Sequence, residues 1–99
     1  MANSPKRRIE RLPQYEDPAY RQLLRRLSSN LRAIRKQRGW SQEEAGARCG
    51  MLMQTFQKIE SGMKNVTFTT LARLCSGLKV DAADLLARPA VSKRSSRAK

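Results

Sequence analysis

The longest apolar pattern in the chain runs over residues 18–38. Apolar side chains recur there at the three- and four-residue intervals of an α-helix, at Tyr20, Leu23, Leu24, Leu27, Leu31 and Ile34. Asp17 and Pro18 are typical of a helix N-cap and first position, and Gly39 is typical of a helix end. The polar run Ser28-Ser29-Asn30 leaves open whether the segment is one helix or two.

A second, shorter helix is predicted directly after Trp40. Ser41 and Glu44 match a capping box, and Trp40 is placed to pack onto the first inward residue from outside the helix. The expected inward residues and stop are Ala45, Cys49 and Gly50. A helix of this length needs support from the rest of the fold.

A third helix is predicted at residues 52–61, ending at Gly62. Phe56 and Ile59 lie three apart and are expected to face the core. Three bulky apolar residues stand at the start of this helix. We expect Met51 and Leu52 in the core and Met53 at the surface.

Two further helices complete the prediction. Thr67 is placed to cap a fourth, with an apolar stripe at Leu71, Leu74, Cys75 and Leu78. Asp81 and Asp84 match a capping box for a short fifth helix that ends before Pro89. Since no segment shows the alternation of a strand, we predict a compact, all-α, five-helix domain at residues 18–88.

The charge is concentrated in the two flanks of the chain. The 99 residues carry a formal net charge of +13, and 39% of them are hydrophobic. Residues 1–38 hold eleven Lys or Arg against three acids, residues 39–88 hold six against five, and residues 89–99 hold four against none. This excess predicts a polyanion or an anionic surface as partner. We expect residues 1–17 and 89–99 to be basic, flexible arms, because they are too poor in apolar residues to fold alone.

Several classes of protein are disfavoured. No segment approaches the roughly 18 apolar residues of a membrane helix, and no apolar signal-peptide core follows the N-terminus, so we expect a cytoplasmic protein. With no histidine, Cys49 and Cys75 cannot complete a tetrahedral zinc site, and we expect them to be reduced core thiols. No phosphate-binding glycine loop or activated nucleophile is recognisable either. We expect no metal, no cofactor and no enzymatic activity.

The order of motifs at residues 31–65 is distinctive. It reads LRAIRKQRGWSQEEAGARCGMLMQTFQKIESGMKN, with an arginine in the first helix, a Ser-Gln-Glu-Glu helix start and a closing Ile-Glu-Ser-Gly. This stretch resembles the phage-repressor and Cro (Xre-type) helix-turn-helix family, and the resemblance continues through TTLARLCSGLKVDAADLL at 69–86. It implies a lambda-repressor-like fold with a helix-turn-helix at 41–61, whose second helix enters the major groove of DNA.

The resemblance also implies a function and a set of contacts. The function is that of a sequence-specific transcriptional regulator, a repressor that binds an inverted-repeat operator as a homodimer; SGMKNVTFTTL is similar to controllers of restriction-modification systems. The implied base contacts are Met53, Gln54, Gln57 and Lys58. The implied phosphate contacts are Gln42, Ser61, Lys64 and Asn65. Arg35 and Glu60 would form a structural ion pair between the first and third helices.

The chain departs from the family's pattern near the third helix. Leu52 stands where a Ser or Thr usually caps that helix, which removes a cap worth about 1 kcal/mol. Gly46 replaces a usual alanine at a further cost of up to ~1 kcal/mol in helix propensity. Ala45 and Cys49 are smaller than the leucines expected at their positions. The bulky residues 51–53 are therefore expected to fill part of that space.

Three questions stay open at this point. The dimer surface is expected at Val80, Leu85 and Leu86, although these side chains would equally close the core, and the long first helix offers a second surface. A protein that coats nucleic acid without sequence preference would also explain the basic flanks. An antitoxin or other protein-interaction module on the same fold is a further alternative.

Overall fold

The computed structural model describes residues 13–89, which form six α-helices. In chain order these are α1 (Pro13–Glu16), α2 (Pro18–Gln37), α3 (Gln42–Arg48), α4 (Met53–Glu60), α5 (Phe68–Leu78) and α6 (Ala82–Leu86). The last five are the helices predicted from the sequence. Within the described range, no helix has the length and apolar character needed to cross a membrane. The remaining residues of the two predicted arms, 1–12 and 90–99, lie outside the described residues.

α1 adds one turn of helix within the region expected to be a flexible arm. Its Tyr15 packs edge-to-face on Tyr20 of α2, with the ring centroids 5.3 Å apart. Asp17 then caps α2, because its carboxylate accepts a 2.7 Å hydrogen bond from the Ala19 backbone N–H. The aromatic contact thus holds the turn against the long helix.

α2 is one continuous helix, so the break considered at residues 28–30 is wrong. The polar side chains there have partners that leave the helical hydrogen bonds intact. The Ser28 hydroxyl donates to the Arg25 carbonyl oxygen, and Asn30 Nδ2 donates to the carbonyl oxygens of Leu85 and Ala87, at 2.8 Å each. Asn30 therefore joins the end of α6 to α2 instead of interrupting the helix.

The core lies where all five predicted helices meet. Its buried apolar residues are Leu27, Leu31, Ala45, Cys49, Phe56, Ile59, Leu74, Leu78 and Leu85. Met51 packs against this cluster as expected, whereas the expectation that Leu52 is core is wrong, since 71% of Leu52 is exposed. Leu52 is the N-cap of α4 and makes no capping hydrogen bond with its side chain.

The two cysteines are free thiols, as predicted. Cys49 is buried and Cys75 is partly buried. Burial raises the pKa of the Cys49 thiol to about 11, and the nearby Cys75 contributes in the same direction. Cys49 therefore behaves as a small apolar residue of the core at neutral pH.

A buried ion pair connects α2 to α4. Arg35 donates from Nε to Glu60 Oε2 at 2.7 Å and from Nη2 to Glu60 Oε1 at 3.2 Å. Arg35 Nη1 also donates to the Trp40 carbonyl oxygen at 3.0 Å. Glu60 is only 1% exposed, so its charge depends on these donors for compensation. The pair fixes the C-terminal end of α4 against the long helix.

The backbones of α5 and α3 approach closely at Gly77. A Cβ at this position would lie 2.7 Å from Cys49 Cα and closer still to the carbonyl oxygen of Arg48. Both neighbours are backbone atoms at the end of α3, so neither can move aside by rotating a side chain. Gly77 therefore sets how closely α5 supports the helix that precedes the turn.

We predict that Gly77→Ala lowers the free energy of unfolding by about 1–3 kcal/mol, because the added methyl forces the two helix backbones apart. Urea denaturation followed by circular dichroism measures this change. Ser76→Ala, at the exposed neighbouring position, is the matched control and is expected to stay within about 0.5 kcal/mol. An unchanged midpoint for Gly77→Ala would contradict the close contact.

We further predict that Glu60→Leu lowers the free energy of unfolding by about 3–5 kcal/mol, because it leaves the Arg35 guanidinium without its carboxylate. The double variant Arg35→Met/Glu60→Leu should recover most of this loss, since no unpaired charge remains. Both are measured by the same denaturation experiment. A double variant no more stable than Glu60→Leu would show that packing, rather than charge compensation, explains the loss.

Candidate nucleic-acid interface

The turn between α3 and α4 is held by two glycines. Gly50 has a positive φ of 69°, and the Met51 N–H donates to the Gly46 carbonyl oxygen at 2.9 Å. A Cβ on Gly46 would lie 3.2 Å from the Met51 carbonyl oxygen and 3.3 Å from Phe56 Cβ. The glycine that weakens the propensity of α3 thus permits the close crossing of α3 and α4.

One side of α4 is buried and the other is exposed. Phe56, Ile59 and Glu60 face inward. The side chains expected to contact bases, Met53, Gln54, Gln57 and Lys58, are all exposed on the opposite side of the helix. The structure therefore brings the four together on one face, and the exposed Leu52 lies at the N-cap that precedes the helix.

Gln42, expected to contact phosphate, is part of a hydrogen-bonded chain that reaches from the core to this face. Its Nε2 donates to Glu60 Oε1 at 2.7 Å, and its Oε1 accepts from Gln57 Nε2 at 2.9 Å. Gln57, expected to contact a base, is thereby joined to the Arg35–Glu60 ion pair. No local pattern predicts these links, because Gln42 lies 18 residues from Glu60 and 15 from Gln57.

The other expected phosphate contacts follow α4 in the chain. Ser61, Lys64 and Asn65 are all exposed. The Ser61 hydroxyl donates to the Lys58 carbonyl oxygen at 3.0 Å and keeps its acceptor capacity. Ser61 is the C-cap of α4, and Lys64 and Asn65 line a groove with Tyr20 of α2.

Two arginines of α2 reach the same region. Arg21 and Arg25 line a groove together with Ser28, Ser61 and Gly62, where α2 passes the end of α4. No motif in the sequence assigns these two arginines to the site. Helical periodicity shows that they point away from the core, but not which neighbouring helix they approach.

The expected dimer surface requires a correction. Leu85 is fully buried in the core and is not available to a partner, while Val80 and Leu86 are partly buried against the core. Large apolar side chains are exposed elsewhere: Leu23 is 44% and Phe68 is 85% exposed, and both line one groove with Leu86. The exposure of Phe68 was not predicted, because the residue immediately after a helix cap carries no periodicity signal of its own.

Comparison with known proteins agrees with this geometry. A helix-turn-helix domain family matches residues 26–88. Among similar sequences, an uncharacterized HTH-type transcriptional regulator of Sinorhizobium fredii is 36% identical over 60 residues, covering 61% of this chain and 78% of the relative. A hypothetical transcription factor of Neisseria meningitidis is 32% identical over 63 residues, which is 64% of this chain and 59% of that relative's length.

Two crystal structures share the fold. That of the hypothetical transcription factor NHTF from Neisseria has a TM-score of 0.65 and 29% identity, covering 74% of this chain and 84% of that one. The restriction-modification controller protein C.AhdI from Aeromonas hydrophila has a TM-score of 0.59 and 26% identity, covering 63% and 90%. With the family match spanning most of the described residues, the chain belongs to the helix-turn-helix family of DNA-binding transcription regulators.

Proposed function

We propose that the protein is a sequence-specific repressor that binds an inverted-repeat operator as a homodimer. The observation that carries this proposal is the division of α4 into a buried side and an exposed side bearing Met53, Gln54, Gln57 and Lys58. In a helix-turn-helix, the second helix lies in the major groove with such a face toward the base edges. The protein would act in the cytoplasm, without a cofactor and without catalysis.

Each exposed side chain suits a particular base edge. The Gln54 amide can accept from adenine N6 and donate to N7 at once, and Met53 offers an apolar contact for the thymine methyl group. Lys58 can donate to guanine or to a phosphate. A good bidentate contact discriminates by about 1–3 kcal/mol against the wrong base.

Phosphate contacts would surround this face. Ser61, Lys64 and Asn65 are exposed beyond the end of α4, and Gln42 keeps one N–H that does not point at Glu60. Arg21 and Arg25 extend the same region along α2. Such contacts fix the orientation of the protein on the duplex without reading its sequence.

A second copy of the chain would complete the regulator. One α4 reads only a few base pairs, so useful specificity requires two copies on half-sites about one helical turn apart. We propose that the copies meet through the apolar groove lined by Leu23, Phe68 and Leu86, in place of the buried Leu85. Control of the protein's own synthesis is compatible with the similarity to a restriction-modification controller.

A second candidate function is non-specific coating of nucleic acid. The net charge of +13 favours it, because binding through phosphates alone releases counterions and needs no particular sequence. It predicts equal affinity for unrelated duplexes and a steep loss of affinity with salt. The antitoxin alternative on the same fold predicts instead a tight protein partner.

We predict that selection from a random duplex pool at about 150 mM salt enriches an inverted repeat, because non-specific phosphate binding is weakened there. Gln54→Ala should then lower the discrimination between bases at one position of each half-site by about 1–3 kcal/mol. Gln22→Ala, beside Arg88, is the control and should leave the base preferences unchanged. Enrichment of no sequence would favour the coating function. Uniform weakening by Gln54→Ala on all sequences would refute its role as a base contact.

We also predict that Phe68→Ser shifts the protein from dimer to monomer in sedimentation equilibrium, because it removes the most exposed aromatic side chain of the proposed interface. Met63→Ser is the matched control: Met63 is 77% exposed but lines a different groove. An unchanged dimer in Phe68→Ser, or equal effects of both substitutions, would place the interface elsewhere.

A further inference from the structure

The hydrogen-bonded chain from Glu60 to Gln57 has a fixed direction. An ionised carboxylate only accepts hydrogen bonds, whereas a glutamine amide can be turned to present either its oxygen or its NH₂ group. Glu60 is buried and already accepts two hydrogen bonds from Arg35. Any third group that reaches this carboxylate must be a donor.

The carboxylate therefore sets the orientation of two amides in succession. Gln42 must turn its Nε2 toward Glu60, at 2.7 Å, which directs its Oε1 at the neighbouring amide. Gln57 must then turn its Nε2 toward that oxygen, at 2.9 Å. The opposite orientation of either amide would set two acceptors or two donors against each other. Gln57 is left with a carbonyl oxygen and one N–H to present outward from α4.

Resting on the proposed function, we infer that Glu60 and Gln42 orient Gln57 so that it reads a base amino group, with adenine favoured over guanine at its position. Adenine donates from N6 to the outward Oε1 of Gln57, and its N7 accepts the remaining N–H. Guanine at the same place sets O6 against Oε1, so two acceptors face each other. Gln42 is a positioning residue in this arrangement, and Gln57 is the residue that touches the base.

The first test changes the DNA base and leaves the positioning residue Gln42 unaltered. Once selection has supplied an operator, we expect the position read by Gln57 to be the one at which Gln57→Met removes the preference. Replacing the adenine·thymine pair there by hypoxanthine·cytosine, which presents O6 in place of the amino group and keeps Watson–Crick geometry, should weaken binding of the unaltered protein by about tenfold. The same base change should have little effect on Gln57→Met. A guanine preference at this position, or indifference of the unaltered protein to hypoxanthine, would overturn the inference.

The second test removes the positioning residue. In Gln42→Met the Gln57 amide can rotate, so the preference for adenine over guanine should fall from about tenfold to about threefold or less, while the position read by Gln54 keeps its preference. The double variant Gln42→Met/Gln57→Met should lose no more discrimination than Gln57→Met. Circular dichroism shows whether the two Gln42→Met variants are folded. If they are not, the hypoxanthine experiment tests the orientation of Gln57 without them.

The outcomes separate this inference from the function on which it rests. If Gln42→Met binds all sequences more weakly with its adenine preference intact, Gln42 only contacts phosphate and the inference is overturned, although the regulator remains. If the unaltered protein enriches no sequence at all, the proposed function fails first.

Discussion

The buried charge of Glu60 is the constraint on which the arrangement of α4 depends. A carboxylate that is 1% exposed is tolerated only where donors surround it, and those donors come from two other parts of the fold: Arg35 in α2 and Gln42 at the start of α3. Because α2, α3 and α4 must all converge on one carboxylate, the angle between the two helices of the motif is fixed by electrostatics as well as by packing.

Close approach of backbones is the second condition for this geometry. Gly46 lets α4 cross α3 at Phe56, and Gly77 lets α5 lie against the last residues of α3. Both glycines lie within helices, where they cost conformational entropy that alanine would not. Their benefit appears only in the contacts between helices. Together with the small Ala45 and Cys49 they make the motif compact, which explains why the bulky Leu52 is left at the surface.

Much of the fold follows from local sequence. The cap at Asp17, the capping box of Ser41 and Glu44, and the cap at Thr67 lie where the sequence predicts them. These signals act within four residues, so they can be read without knowledge of the rest of the chain. Local sequence left two points open, the continuity of the long helix at residues 28–30 and the place of Leu85, because distant partners decide whether a polar residue breaks a helix and whether an apolar one is covered.

The sequence by itself indicated where the last five helices lie, most of their inward residues, the excess of positive charge, and the four side chains on the outer face of α4. It left the continuity of α2 open. Only the tertiary structure decided which groups from other helices contact and orient that face. It joined Gln57 to Gln42 and Glu60 across 15 and 18 residues of chain, brought Arg25 to the end of α4, and buried Leu85 while leaving Phe68 exposed. The physical reason is the distance along the chain over which each kind of interaction acts. Periodicity and capping report interactions along one helix, whereas the orientation of an amide depends on charges that only folding brings within hydrogen-bonding distance.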